Sequence, residues 1–310
     1  MNRIESPFGF HSTAEEVIGS LDLRGKRAIV TGGGSGIGAE TVRVLALAGA
    51  EVTLTVRTRD AGESIAAEIR RNTGNELVHV AVVDLCDISS IRSFASRWSG
   101  PLHLLVNNAG VMATPEQRTK EGYELQFATN HLGHFALTLE LHRALTEAGQ
   151  ARVVCVSSTA HIISPVVFDD LQFWYRPYDP LLAYAQSKTA VNLFAVAASI
   201  RWAKDGITAN SLNPGAIKTN LQRHVGGVLR SPAEFHKTIA QGAATSVFVA
   251  TSLLLTGIGG RYFDNCNQAT PVAERPKEIS QLAGAVAPYS LDPSNAERLW
   301  DLSLRLVSRR

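Results

Sequence analysis

Six tyrosines occur in the sequence, and only Tyr184 is followed four residues later by a lysine, Lys188. The pair lies in the run LLAYAQSKTAVNLFAVAA, which predicts a helix, and positions i and i+4 share one helix face. A phenol and an ammonium converging there make a proton-transfer device. A free phenol ionises near pH ~10, and a neighbouring cation favours the phenolate; reaching neutrality takes about 4 kcal/mol at roughly 1.4 kcal/mol per unit. Tyr184 would then serve as general acid toward a carbonyl oxygen and as general base toward an alcohol.

Two hydroxyls, Ser157 and Ser158, end the apolar run RVVCVSS, and either could hydrogen-bond a substrate oxygen. Ser158 is favoured as the residue just past the strand. Asn130 lies in ATNHLGHF, a segment with helical patterning between two predicted strands.

A second constellation stands near the start of the chain. The run Thr31-Gly32-Gly33-Gly34-Ser35-Gly36-Ile37-Gly38 closes one apolar strand and opens a helix. Glycines permit a tight turn and close approach of phosphates, and a helix N-terminus offers free N–H groups to an anion. In this strand–turn–helix context the run predicts a dinucleotide site using Gly32, Gly34, Ser35, Gly36, Ile37 and Gly38. Arg57 falls 19 residues beyond Gly38, and no acidic residue occupies positions 56–59. An arginine there suits a 2′-phosphate, whereas an acid would favour an unphosphorylated ribose, so the expected cofactor is NADP(H). Two later strand ends belong to the same crevice. Asp84 and Leu85 would contact the adenine, and Asn107, Ala109 and Gly110 would let backbone and ribose meet.

These residues need elements to hold them. Val-, Ile- and Leu-rich runs at 27–31, 51–57, 77–84, 102–107, 152–157 and 207–213 read as strands. They are continuous rather than alternating in hydrophobicity, as expected when helices cover both sheet faces. Amphipathic stretches such as 38–48, 61–72 and 89–98 lie between them. Strict alternation implies right-handed crossovers and an α/β, doubly wound parallel sheet of about seven strands. No linker or repeat divides the chain. The expected organisation is one catalytic domain over 25–269, with extensions at 1–24 and 270–310.

Composition narrows the partners. The chain has 310 residues, 45% hydrophobic, with a formal net charge of +2, which gives no electrostatic reason to expect nucleic acid. Cys86, Cys155 and Cys266 are sparse and lack CxxC spacing, which argues for a reducing compartment. The opening MNRIESPFGFHSTAEEV has no apolar h-region, so a signal peptide is not expected and a cytoplasmic protein is. Positions 238–260 carry no charge, yet their Thr, Ser, Gln and Gly content points to a buried helix and not to a membrane span. His131 and His134 form an H-x-x-H pair without further candidate ligands, so no metal site is expected.

The Thr-Gly-x-x-x-Gly-x-Gly turn, Asn-Asn-Ala-Gly at 107–110, Tyr-x-x-x-Lys at 184–188 and Pro214-Gly215 occur in the order seen in the short-chain dehydrogenase/reductase family. Over about residues 21–264 the chain resembles that family. The resemblance implies a Rossmann fold and a catalytic tetrad of Asn130, Ser158, Tyr184 and Lys188. The serine would orient the substrate oxygen, the tyrosine exchange its proton, and the lysine bind the nicotinamide ribose and tune the tyrosine. The asparagine would hold a water in a proton relay. Pro214, Gly215, Ile217 and Thr219 would flank the nicotinamide. NHLGHF, the long insertion between Ser158 and Tyr184, and YFDNCNQA at 262–269 are similar to the retinol-dehydrogenase and WW-domain-oxidoreductase-like branch, although no WW domain is present. That branch implies NADP(H) and lipophilic alcohols or carbonyls. Asn213 departs from it where His is frequent.

Three features bear on the substrate side. The insertion at 159–183 contains Phe168, Phe173, Trp174, Tyr175 and Tyr178, which could wall a pocket or pack the loop. Gly226 and Gly227 in LQRHVGGVLRSP predict a lid. The helix after Lys188 is apolar nearly all round, so either its own sheet or a second subunit must cover it. The expected function is NADP(H)-dependent oxidation or reduction of a small alcohol or carbonyl. An NADP(H)-reading sensor or scaffold is the runner-up, and an extended-family sugar-nucleotide epimerase or dehydratase the third reading.

Overall fold

The computed structural model describes residues 3–229 and 231–308. Among them the apolar runs form β1 (Arg27–Thr31), β2 (Glu51–Val56), β3 (Val78–Val82), β4 (Leu104–Asn107), β5 (Ala151–Val156) and β6 (Ile207–Asn213). Shorter strands follow: β7 (Ala216–Ile217), β8 (His236–Lys237), β9 (Tyr262–Asp264) and β10 (Asn267–Gln268). The main sheet has the order β10-β9-β6-β5-β4-β1-β2-β3. All its strands are parallel except the edge strand β10, which returns antiparallel to β9. Seven strands are therefore parallel, close to expectation, and the eighth is a two-residue addition. It exists because Asn265 and Cys266 both take positive φ (51° and 60°) and close a tight hairpin. The polar sequence of that turn carried no strand signal.

The helices are α1 (Ala14–Ile18), α2 (Gly36–Leu47), α3 (Arg59–Thr73), α4 (Ile88–Ala95), α5 (Leu125–Phe127), α6 (Gly133–Glu140), α7 (His142–Glu147), α8 (Pro180–Arg201), α9 (Ile239–Thr251) and α10 (Pro293–Val307). Alternate strand residues feed two cores. Ala28, Val30, Val52 and Leu54 pack with α1, α2, α3 and α9 on one face. Ile29, Leu105, Val153 and Cys155 pack with α4, α6, α8 and α10 on the other. The charge-free stretch becomes α9, capped by reciprocal Thr238 and Gln241 bonds and buried from Gly242 to Thr251. No helix among the described residues is long and apolar enough to cross a membrane.

Helix α8 begins where Asp179 accepts from the Leu181 and Leu182 N–H groups, with Pro180 in the first turn. It is buried continuously from Ala183 to Ala198. The sheet covers one side. The other is covered by the chain's own C-terminal helix: Trp300 stacks on Phe194 at 6.1 Å and meets Phe135 edge-on at 5.0 Å. The extension at the chain end thus fills the place the sequence left open for a second subunit.

Strand order reverses between β1 and β4, whose neighbours diverge to opposite sides of the sheet. Crevices at such points, beyond the carboxyl ends of the strands, are where open α/β sheets bind ligands.

Candidate active site

The glycine turn lies at this switch point. Gly36 has φ +53°, and a Cβ on it would press on Thr219 Cγ2 at 3.2 Å. Gly38 opens α2 so close to β1 that a Cβ would sit 2.3 Å from the Gly32 carbonyl. Both positions exclude a side chain and leave a bare backbone cradle at a helix N-terminus. Ser35 is the exposed N-cap residue, and its hydroxyl makes no capping bond. Ile37 and Ile217 turn their side chains toward Gly242 of α9.

Arg57 is exposed just past β2 and has no ion-pair partner among the described residues. Strand β3 ends at Val82, sooner than the sequence suggested. Asp84 is therefore in the following turn, where its Oδ1 accepts from the Cys86 N–H at 2.9 Å, and Leu85 is buried beside Gly133. At the end of β4 the side chains part. Asn107 turns into the core and donates to Thr138 Oγ1 at 3.1 Å. Asn108 donates to the Thr31 carbonyl at 2.7 Å, and the Asn108 and Ala109 N–H groups both reach Thr31 Oγ1. Thr31, noted in the sequence only as the first residue of the turn motif, fastens β1 to β4.

Tyr184 is 5% exposed and Lys188 4% exposed, both on the stretch of α8 nearest the end of β5. Burial pushes the Tyr184 phenol up to about 12, with a Ser158 hydrogen bond pulling the other way. Burial also pushes Lys188 down to about 8. Desolvation is the dominant influence on the phenol where Lys188 was expected to act. The ammonium donates to the Val156 carbonyl at 2.8 Å and lies 5.6 Å from the Tyr184 ring centre. The two serines separate by function of geometry. Ser157 is buried and donates to the Lys188 carbonyl at 2.9 Å, whereas Ser158 is half-buried and faces the phenol.

Asn130 is on an unforeseen element, a π-helical turn spanning Ala128–Leu132 between α5 and α6. Such turns replace i→i+4 bonds and re-aim side chains and carbonyls. The Asn130 amide donates to the Val111 carbonyl and to Ser187 Oγ, both at 2.9 Å, and accepts from the Val111 N–H at 2.9 Å. It therefore bridges the β4 loop and α8.

The histidines divide. His131 points away, bonded to Ser303 of α10 at 2.8 Å, and His134 points toward Thr31. Among the described residues no group of three or more His, Cys, Asp or Glu could hold a metal ion. His161, unremarked in the sequence, is fully buried with its Nδ1 2.7 Å from the Ser158 carbonyl; its Nε2 accepts from the Ala287 N–H. The C-terminal extension thereby supports the backbone of Ser158.

In the insertion, Phe173 packs edge-on against Tyr178 at 5.3 Å, and Tyr178 bonds Gln126, Thr114 and Glu124. Those rings fasten the loop; Trp174 and Tyr175 remain exposed. Pro214 is buried, and Gly215 lies over the Lys237 side chain. Parallel pairing of β7 with β8 tethers both ends of the segment carrying Gly226 and Gly227. Arg230, within that segment, lies outside the described residues.

A short-chain dehydrogenase family model matches residues 26–227. The Streptomyces lividans protein named "Probable oxidoreductase" is 51% identical over 93% of this chain and 99% of its own length. Human retinol dehydrogenase 12 is 38% identical over 94% of this chain and 89% of its own. A solved Mycobacterium paratuberculosis structure superposes with a TM-score of 0.74 at 33% identity, covering 95% of this chain and 97% of that one. The motif order, the switch-point crevice and these likenesses agree: the chain belongs to the short-chain dehydrogenase family of oxidoreductases.

Proposed function

We propose that the chain is an NADP(H)-dependent oxidoreductase that interconverts a lipophilic alcohol and its carbonyl compound. The observation that carries the reading is the buried Tyr184 phenol facing the Ser158 hydroxyl at the end of β5, with Lys188 one turn further along α8. The side-chain-free backbone at Gly36 and Gly38 suits a dinucleotide pyrophosphate, with Gly32, Gly34, Ser35 and Ile37 completing that turn. Arg57 would pair with the 2′-phosphate, and Asp84 and Leu85 would hold the adenine. Asn107, Ala109 and Gly110 would meet the ribose through their backbone. Pro214, Gly215, Ile217 and Thr219 would hold the nicotinamide end. When bound there, the cofactor supplies or accepts the hydride.

The chain's own residues manage the proton. Tyr184 is a phenol throughout the neutral range, so it can donate to the oxygen of a carbonyl undergoing reduction. Ser158 would donate a second hydrogen bond to that oxygen and fix its position. Lys188, still largely an ammonium at pH 7, would favour the phenolate left on Tyr184. Asn130 would continue the proton path toward solvent. The segment with Gly226 and Gly227 would close over the substrate, and likeness to retinol dehydrogenase 12 supports an apolar one.

The test follows NADPH absorbance across a panel of aldehydes, ketones and alcohols of graded hydrophobicity. Turnover that vanishes in Tyr184→Phe is expected. A Tyr184→Phe protein as fast as wild type would refute the assignment.

A further inference from the structure

A hydrogen-bond chain of fixed direction crosses the floor of the crevice. The Asn108 and Ala109 N–H groups donate to Thr31 Oγ1 at 2.9 and 3.0 Å, which occupies both lone pairs of that hydroxyl. Its proton is left for His134 Nε2 at 2.8 Å; the Val106 carbonyl, at 3.3 Å, is the poorer acceptor. On the far side of the ring, His134 Nδ1 lies 3.0 Å from the Asn130 carbonyl oxygen. A carbonyl can only accept, so Nδ1 carries the proton and the ring is a neutral imidazole of one defined tautomer. Complete burial, which pushes His134 down to about 4, maintains that neutral form at physiological pH.

The direction of the chain matters because of what Asn130 has left to offer. Both protons of its amide are spent on Val111 and Ser187. Its side-chain oxygen already accepts from the Val111 N–H, and its main-chain carbonyl, in the π-helical turn, keeps one lone pair for a relay water beside the bond from His134. A carbonyl oxygen takes two hydrogen bonds, and His134 supplies one of them. Successive bonds of one polarity strengthen each other in a low-dielectric interior.

We propose that His134 is a positioning residue for the reaction: it couples the cofactor-binding ends of β1 and β4 to the Asn130 carbonyl, so that one imidazole holds both in register. This rests on the redox reading above. It assigns to the second histidine of the H-x-x-H pair a role distinct from that of His131, which secures the C-terminal helix.

The geometry supplies separable variants. An Asn side chain can place a donor near the Nδ1 position, whereas Gln reaches the Nε2 position. His134→Asn keeps the contact with Asn130 and loses that with Thr31; it should weaken NADPH binding more than it lowers kcat. His134→Gln keeps Thr31 and should lower kcat about tenfold, one hydrogen bond's worth of transition-state positioning, with a smaller change in NADPH affinity. Binding is read by NADPH fluorescence and kcat with a carbonyl accepted by the wild type. Independently of any variant's folding, nitrogen-15 NMR of histidine-labelled wild type should show His134 protonated on Nδ1 alone at pH 7. Protonation on Nε2, or on both nitrogens, overturns the chain. Variants that lose kcat and affinity in equal proportion overturn the coupling alone. A wild type that binds no NADPH refutes the redox reading, and the NMR result still decides the hydrogen-bond chain.

Discussion

The Ser157 hydroxyl donates to the Lys188 carbonyl at 2.9 Å, while one residue later Ser158 faces the Tyr184 phenol. Adjacent hydroxyls at one strand end therefore do different work: one anchors α8 to β5, the other meets the reacting oxygen. Ser158→Ala should lower kcat/KM by about two orders of magnitude, the range for loss of a transition-state hydrogen-bond donor, with little change in Tm. Ser157→Ala should instead lower thermal stability by about 1 kcal/mol, since it removes the buried hydrogen bond that ties β5 to α8, and reduce kcat/KM less. Thermal melts and steady-state kinetics on the two variants check this; reversed effects would exchange the roles.

Lys188 should cost stability in the free protein. Its value falls from 10.5 in the unfolded chain to about 8 when folded, so the unfolded state binds more protons between those limits. The penalty is fully present below pH 8 and fades as pH rises toward 10.5. Lys188→Met should accordingly raise stability at pH 7 by about 1–3 kcal/mol and abolish turnover, with the stability gain shrinking at higher pH. Denaturant melts of both proteins at pH 7 and pH 10 measure it.

Reduction and oxidation should respond oppositely to pH. Tyr184, raised to about 12 by burial, is protonated across the neutral range. Carbonyl reduction should hold its rate at low and neutral pH and decline in alkali, whereas alcohol oxidation should rise with pH as the phenolate forms. Profiles of kcat/KM in both directions read the signs, and Tyr184→Phe should remove both.

Arg57 stands exposed beyond β2, with no ion-pair partner among the described residues. Arg57→Ala should weaken NADPH binding roughly 10- to 100-fold, the worth of a charge-assisted phosphate contact, and leave NADH binding nearly unchanged. Fluorescence titration with the two nucleotides is sufficient. Equal losses for both would place the 2′-phosphate elsewhere.

Helix α10 covers α8 through Trp300, Phe135 and Phe194. Trp300→Ala should destabilise the fold by about 3–5 kcal/mol, as expected for a truncated buried tryptophan. Removal of residues 293–310 should expose the apolar side of α8 and drive self-association, visible by light scattering against the full chain.

Local patterning made the parallel strands legible: β1 and β6 fall at their predicted limits, because continuous apolar runs ended by Gly or Asn leave little choice of conformation. The Tyr184–Lys188 spacing and the glycine turn were legible for the same reason, since helix period and backbone sterics act over a few residues. What remained hidden was set by partners far along the chain. Nothing in ATNHLGHF announces a π-helical turn; it accompanies the packing of Gly133 so close to the Leu85 carbonyl that a Cβ would lie 2.2 Å away. The choice between Ser157 and Ser158 depends on how β5 meets α8, and the bond from Thr31 to His134 spans 103 residues. The phenol and ammonium were predicted to act on each other, yet burial moved both further than their mutual charge did. Sequence alone determined which chemical groups this protein carries and the short-range geometry of each. Tertiary packing decided which of them meet and in what protonation state, because desolvation and long-range hydrogen bonding arise only when distant segments share one interior.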